Sequence, residues 1–271
     1  MEKRFSFLEG FSAGAGALPY STDGFVAAVP GFGGDVAGFT TCTIVRLTNF
    51  GYLPEVPGVR VAASNASIAP DTGYVDLLDG LFLTGATADT GGAFLAAVWE
   101  PGIDAPDPPT GVIMVLHRVF DPVNDVLFLY GNGLMRDQQP ASHEAPVPSG
   151  GQLSIGFDFN NLATPFTTAW GVDAAGGADD NGVAGFAYGA FIATPAQVAE
   201  HFKQIALAAD MVEGPLPWEL LLSVRRGLPD LEVAGGAAAV WRDEIGGVVF
   251  NRSTLGQEPT LRVSARRGIL F

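Results

Sequence analysis

An all-β fold of two stacked antiparallel sheets is what this sequence predicts, and three observations carry the prediction. Short apolar or alternating runs recur along the chain, clusters of turn-forming residues separate them, and a single stretch has the periodicity of a helix. The runs are "TTCTIVRL", "GVRVAAS", "AFLAAVW", "GVIMVLHRVF", "DVLFLY", "GQLSIGF" and "GFAYGAFI". Between them lie "PGIDAPDPPTG", "EAPVPSGG" and "DAAGGADDNG". The 36 Gly and 19 Pro of the 271 residues are spread without a period, as many tight turns require.

The elements follow in order. After a Gly-rich opening to Gly38 comes "TTCTIVRL", which places Cys42, the one cysteine, on a strand as a structural thiol with no partner for an intrachain disulfide. "GVIMVLHRVF" is apolar at both parities until His117 and Arg118, the mark of a strand central to its sheet. "LFLYGNGLMRDQQ" then alternates up to Gly131, Asn132 and Gly133, and Asn-Gly tolerates the positive φ angles of a tight hairpin. Near residue 195 the pattern changes to a helix. Thr194 is its cap, Pro195 suits its first turn, and Gln197 completes a capping box. Val198, Phe202, Ile205, Ala209 and Val212 form an apolar stripe that must pack on the sheets, and Gly214 with Pro215 is expected to end the helix.

Composition narrows the function. A formal charge of -15, from 14 basic and 29 acidic residues, repels phosphate backbones and anionic lipid heads, so nucleic acid is not an expected partner. No run approaches a membrane span. "MEKRFSFLEGFSAGAGA" has a basic start, but Glu9 interrupts its apolar stretch, so it does not read as a secretory signal. The expectation is synthesis in the cytoplasm, with release as part of a particle or appendage as the route outward. Apolar residues make up 48 % against 16 % charged, which leaves apolar surface for contact with further copies or other subunits of an assembly.

The order "VLHRVFDPVNDVLFLYGNGLM", then "PSGGQLSIGF", then "GVAGFAYGAFIATPAQVAEHF" resembles the concanavalin A-like or laminin-G-like jelly rolls of bacterial and phage proteins. In that family a strand ending in Asp leads to an Asn-Gly or Asp-Gly hairpin, a Gly-rich turn, a further strand and a short capped helix. The likeness covers about residues 38 to 210. It implies a two-sheet antiparallel jelly-roll sandwich with one short amphipathic helix after the last core strand. There is a departure at Gly185, Phe186, Ala187 and Tyr188, where the family carries Asp or Glu before its aromatic residue. The far end is also unusual. Trp241, Asp243, Gly246, Pro259, Thr260, Leu261, Gly268 and Phe271 resemble the segment that opens such domains. Residues 1–214 are accordingly read as the sandwich and 215–271 as a C-terminal β extension. Residues 240–271 then stand in for an N-terminal strand of their own chain, complete a neighbour by strand addition, or form an ordinary extra hairpin.

Candidate chemistry is sparse. Some jelly rolls of this superfamily hydrolyse glycans with two carboxylates on one strand face, often spaced Glu-x-Asp-x-x-Glu, and that string is absent. The pairs Asp230 with Glu232 and Asp76 with Asp79 lack aromatic company that would hold a sugar ring. No catalytic residue is therefore named. His117, His143 and His201 sit in separate elements without an i, i+4 pair, a pattern that does not suggest zinc, and His201 reads as a surface or packing residue. The strongest candidate site is the segment "NLATPFTTAWGVDAAGGADDNG", residues 161 to 182. Trp170 offers a flat apolar face, and Asp173, Asp179, Asp180 and Asn181 offer oxygens that suit sugar hydroxyls. Laminin-G-like relatives bind calcium at acidic loops, which makes Asp179 and Asp180 weak calcium candidates, although no defined calcium spacing is present. The expected function is a non-catalytic, lectin-like module recognising glycan or protein within a larger assembly. A purely structural subunit of a phage particle or appendage is the alternative, and a jelly-roll glycoside hydrolase the second.

Overall fold

A computed structural model of the chain describes residues 3–9, 24–29, 38–47, 60–64, 67–68, 71–79, 82–88, 94–99, 112–140, 152–156, 182–224, 232–234, 237–253 and 262–270. In chain order the strands are β1 (Lys3–Glu9), β2 (Gly24–Ala28), β3 (Phe39–Leu47), β4 (Arg60–Ser64), β5 (Ser67–Ile68), β6 (Asp71–Asp79), β7 (Phe82–Ala88), β8 (Phe94–Trp99), β9 (Val112–Asp121), β10 (Val126–Gly131), β11 (Leu134–Pro140), β12 (Gln152–Ile155) and β13 (Gly182–Gly189). The helix α1 (Pro195–Ala208) follows, then β14 (Leu220–Ser223), β15 (Glu232–Ala234), β16 (Ala237–Arg242), β17 (Val249–Ser253) and β18 (Arg262–Leu270).

Two sheets result. The larger runs β15-β16-β17-β2-β12-β4-β6-β7-β8, with β5 beside β6. In the other, β3 lies between β9 and β13 along its whole length, β10 and β11 extend the β9 side, and β14 flanks β13. The antiparallel pair of β1 and β18, from opposite ends of the chain, closes a circuit on this second sheet. β18 joins β9 in parallel at Val112 and Ile113, and β1 meets β13 at Val183. Apart from that short parallel contact, every pairing between described strands is antiparallel. The predicted fold class, an antiparallel two-sheet sandwich with one helix, is the one observed.

The second sheet buries both of its faces. Met114, Leu116 and Phe120 of β9 enter the core between the sheets, where they meet Phe25, Leu153, Ile155, Trp241 and Phe250 of the other layer. Ile113, Val115 and Val119, of opposite parity, enter a second core with Phe5 and Phe7 of β1 and Val198 and Ile205 of α1. This double burial is why the β9 sequence is apolar on both faces.

Local rules explain the joints. Asn132 and Gly133 both have positive φ, 53° and 78°, as the hairpin from β10 to β11 requires. Asn132 also continues the sheet. Its N–H donates to the Val115 carbonyl at 2.8 Å, and its Oδ1 accepts from the Val115 N–H at 2.8 Å. At the start of α1 the Gln197 N–H donates to Thr194 Oγ1 at 3.3 Å, while the Thr194 N–H donates to Gln197 Oε1 at 2.9 Å, the predicted capping box.

The helix ends earlier than predicted. Ala209 takes the left-handed conformation, with φ 56°, and its N–H closes on the Ile205 carbonyl at 2.8 Å. The chain then turns inward, where Asp210 Oδ1 accepts from Ser223 Oγ at 2.6 Å. Val212 still packs on the second core from beyond the helix. Gly214 has a different task from the one expected of it, crossing over His201 so closely that a Cβ would stand 2.7 Å from His201 Cδ2.

The C-terminal segment is woven into both layers. β17 pairs with β2 and β18 with β1. Trp241 is fully buried, edge-on to Phe25 with ring centroids 5.6 Å apart, and its Nε1 donates to the Ser223 carbonyl at 3.3 Å. Asp243 takes the Leu221 N–H of β14 at 2.7 Å and also caps the turn after it, so one side chain ties the two layers together.

Candidate functional site

Trp170, Asp173, Asp179, Asp180 and Asn181 lie outside the described residues, as does His143. What is described is the strand that follows. Gly182 opens β13 opposite Arg46 of β3, and all eight β13 residues are buried. The departure noted at Gly185 and Ala187 has a steric cause. A Cβ on Gly185 would lie 2.6 Å from the Leu222 carbonyl oxygen and 2.8 Å from Met211 Cβ, and Ala187 belongs to the core beneath the helix. No acidic side chain fits at Gly185 without displacing that packing. Of the carboxylate pairs considered for hydrolysis, Asp76 and Asp79 fall in β6, Glu232 begins β15, and Asp230 is outside the described residues.

One titratable cluster does assemble, and it corrects the expectation that the histidines are unrelated. Cys42 and His117 are directly opposed on β3 and β9, and α1 brings His201 over them. One potential ligand atom from each lies within 4.8 Å of the others, and all three residues are fully buried. His201 is thus a packing residue at the centre of the second core, with no surface exposure. Its place was partly legible, since it stands three residues after Val198 and four before Ile205, on the apolar stripe itself.

The ring protons follow from the partners. His201 Nε2 stands 2.7 Å from the Val212 carbonyl, which only accepts, so that nitrogen carries the hydrogen. His201 Nδ1 therefore offers its lone pair to His117 Nε2–H across 2.8 Å. His117 Nδ1 is left as a buried lone pair without a hydrogen-bond partner. Burial keeps both rings neutral. It lowers the His201 pKa to about 4, partly opposed by the bond to Val212, and it lowers His117 well below the usual range, with His201 nearby acting in the same direction. Trp218 packs its ring 5.1 Å from His201 and 5.2 Å from Phe191. Full burial leaves the cluster no contact with a polymeric substrate.

No protein-family model matches the chain, and no curated protein sequence does. Solved structures do resemble it. A candidate carbohydrate-binding protein from Bacteroides ovatus superposes with a TM-score of 0.60 at 9 % identity, over 99 % of this chain and 62 % of its own. This chain thus spans about three fifths of that protein's length. The binding domain of botulinum neurotoxin serotype D gives 0.49 at 8 % identity, over 75 % of this chain and 51 % of its own. A heptameric SAP-like pentraxin from Limulus polyphemus gives 0.46 at 12 % identity, over 73 % and 81 %. Among the described residues no helix is long and apolar enough to cross a membrane. The match to the Bacteroides ovatus structure over 99 % of this chain agrees with the fold: the chain is a two-sheet antiparallel β-sandwich.

Proposed function

We propose that the chain is a non-catalytic recognition module that binds glycan or protein as part of a larger assembly. The observation that carries the reading is the match of 99 % of this chain to the fold of a protein described as a candidate carbohydrate-binding one. On this reading the ligand meets Trp170, Asp173, Asp179, Asp180 and Asn181, in the segment that leads into β13, with no resident cofactor and Asp179 and Asp180 as weak candidates for calcium. The sandwich supplies a rigid base for that segment. Residues 215–271 complete the sandwich within their own chain on the same proposal, in keeping with the pairing of β17 with β2 and β18 with β1. A glycan array with and without calcium tests the binding. Binding that is lost in Trp170→Ala supports the reading, and the absence of any binding in both conditions removes the glycan form of it.

A second reading, a structural subunit of a particle or appendage, draws support from the tip of the β10–β11 hairpin. Leu134 and Met135, consecutive residues that open β11, are 61 % and 54 % exposed there. Light scattering separates the two. A multimer that dissociates in the Leu134→Lys, Met135→Lys double variant favours assembly through this face, and a strict monomer at high concentration counts against it.

A further inference from the structure

We propose that Cys42, His117 and His201 form a binding site for one zinc-class transition-metal ion, buried between α1 and the β3–β9 pair. The donor set is the first argument. Two neutral imidazoles and a thiol, with their ligand atoms within 4.8 Å of one another, are the donors that borderline and soft ions select over calcium or magnesium.

The orientation of the rings is the second argument. A metal-binding histidine characteristically donates its other ring N–H to a carbonyl, which fixes the tautomer and aims the lone pair. His201 has that arrangement, with Nε2–H held by the Val212 carbonyl at 2.7 Å and the Nδ1 lone pair turned toward His117. His117 Nδ1 supplies the third argument, because it is fully buried and has no hydrogen-bond partner. When a metal takes His117 Nε2, the hydrogen now donated to His201 moves to His117 Nδ1, which unlike His201 Nε2 has no acceptor among the described residues. The Cys42 thiol releases one proton to the solvent and binds as thiolate, and no redox step is involved.

The required movement has two parts. Two nitrogens on a tetrahedral zinc at about 2.05 Å each stand roughly 3.3 Å apart. His117 Nε2 and His201 Nδ1 are now 2.8 Å apart, so α1 and the sheet separate by about half an ångström to take up the ion. Cys42 and His117 are directly opposed on adjacent strands, and their side chains close from at most 4.8 Å toward the roughly 3.6 Å between a sulfur and a nitrogen on one tetrahedral zinc. The ion then ties helix to sheet.

The test uses the full chain, stripped with a chelator and titrated with zinc against a chromophoric competitor, and with cobalt as a spectroscopic probe. The expected result is one zinc per chain retained through desalting and a near-ultraviolet thiolate-to-cobalt charge-transfer band. Cobalt should also quench the fluorescence of Trp218, assigned by its loss in Trp218→Phe, because that ring lies 5.1 Å from His201. Cys42→Ser and His201→Gln are expected to weaken zinc about 100-fold or more, while His143→Gln is unchanged. Zinc bound without the thiolate band, as an acidic surface would hold it, overturns the proposal, as does undiminished binding in folded Cys42→Ser. Should the variants fail to fold, the cobalt spectrum of the natural chain decides alone. The glycan array fails or succeeds independently of this result.

Discussion

The two cores of this molecule share β3, β9 and β13 yet are built on different principles. Between the sheets, Phe25, Trp241 and Phe250 interdigitate with Leu116, Phe120 and Phe186 in a broad aromatic and aliphatic contact. Beneath the helix, apolar packing by Phe5, Phe7, Ile44 and Ile205 surrounds three groups able to ligate a metal or carry a proton. The first cluster holds no histidine, carboxylate or amine. The second depends on two imidazoles remaining neutral. A strand can therefore serve packing on one face and chemistry on the other, its alternation keeping the two apart.

The contrast breaks most severely from the sandwich side. Trp241→Ala empties a fully buried site, strips Phe25 of its edge contact and removes the bond to the Ser223 carbonyl, so a loss of about 3–5 kcal/mol is expected in urea unfolding. Acid attacks the other core. The folded His201 pKa of about 4 lies below its unfolded 6.5, so between those values the unfolded chain binds the extra proton. The contribution is fully present above pH 6.5, declines as pH falls toward 4, and amounts to about 3 kcal/mol, with His117 adding in the same direction. Urea midpoints of chelator-treated protein at descending pH check this, and His201→Gln should flatten that part of the profile.

Smaller effects sharpen the same comparison at the helix. Gly133→Ala puts a methyl group 2.9 Å from Phe202 Cδ1 at a φ of +78°, so a cost of about 1–2 kcal/mol and a disturbed helix contact are expected from thermal unfolding. Thr194→Ala removes one arm of the capping box and should cost about 1 kcal/mol by the same measurement.

What was legible in the sequence was what local rules govern. Asn132 and Gly133 forecast their turn because positive φ is a property of single residues, and Thr194 with Gln197 forecast the helix start because a cap spans four positions. The helix end escaped the sequence because an alanine, Ala209, holds the left-handed position there and no glycine marks it. The cluster escaped for a different reason. Cys42 meets His117 only through the register of β3 on β9, and His201 arrives 84 residues after His117 by the docking of a helix. No spacing along the chain encodes either event. The proposed ligand segment before β13 was read from residue chemistry alone, and its place rests on that chemistry.

β3 is hydrogen-bonded to β9 on one edge and β13 on the other, and both of its faces are covered. Its amide protons accordingly have no local route to solvent, since fraying an edge or lifting the helix leaves the ladder intact. In deuterated buffer they should be the last to be replaced, at a rate set by unfolding of the whole body. The strand that carries Cys42 is thus the innermost timekeeper of the chain's opening.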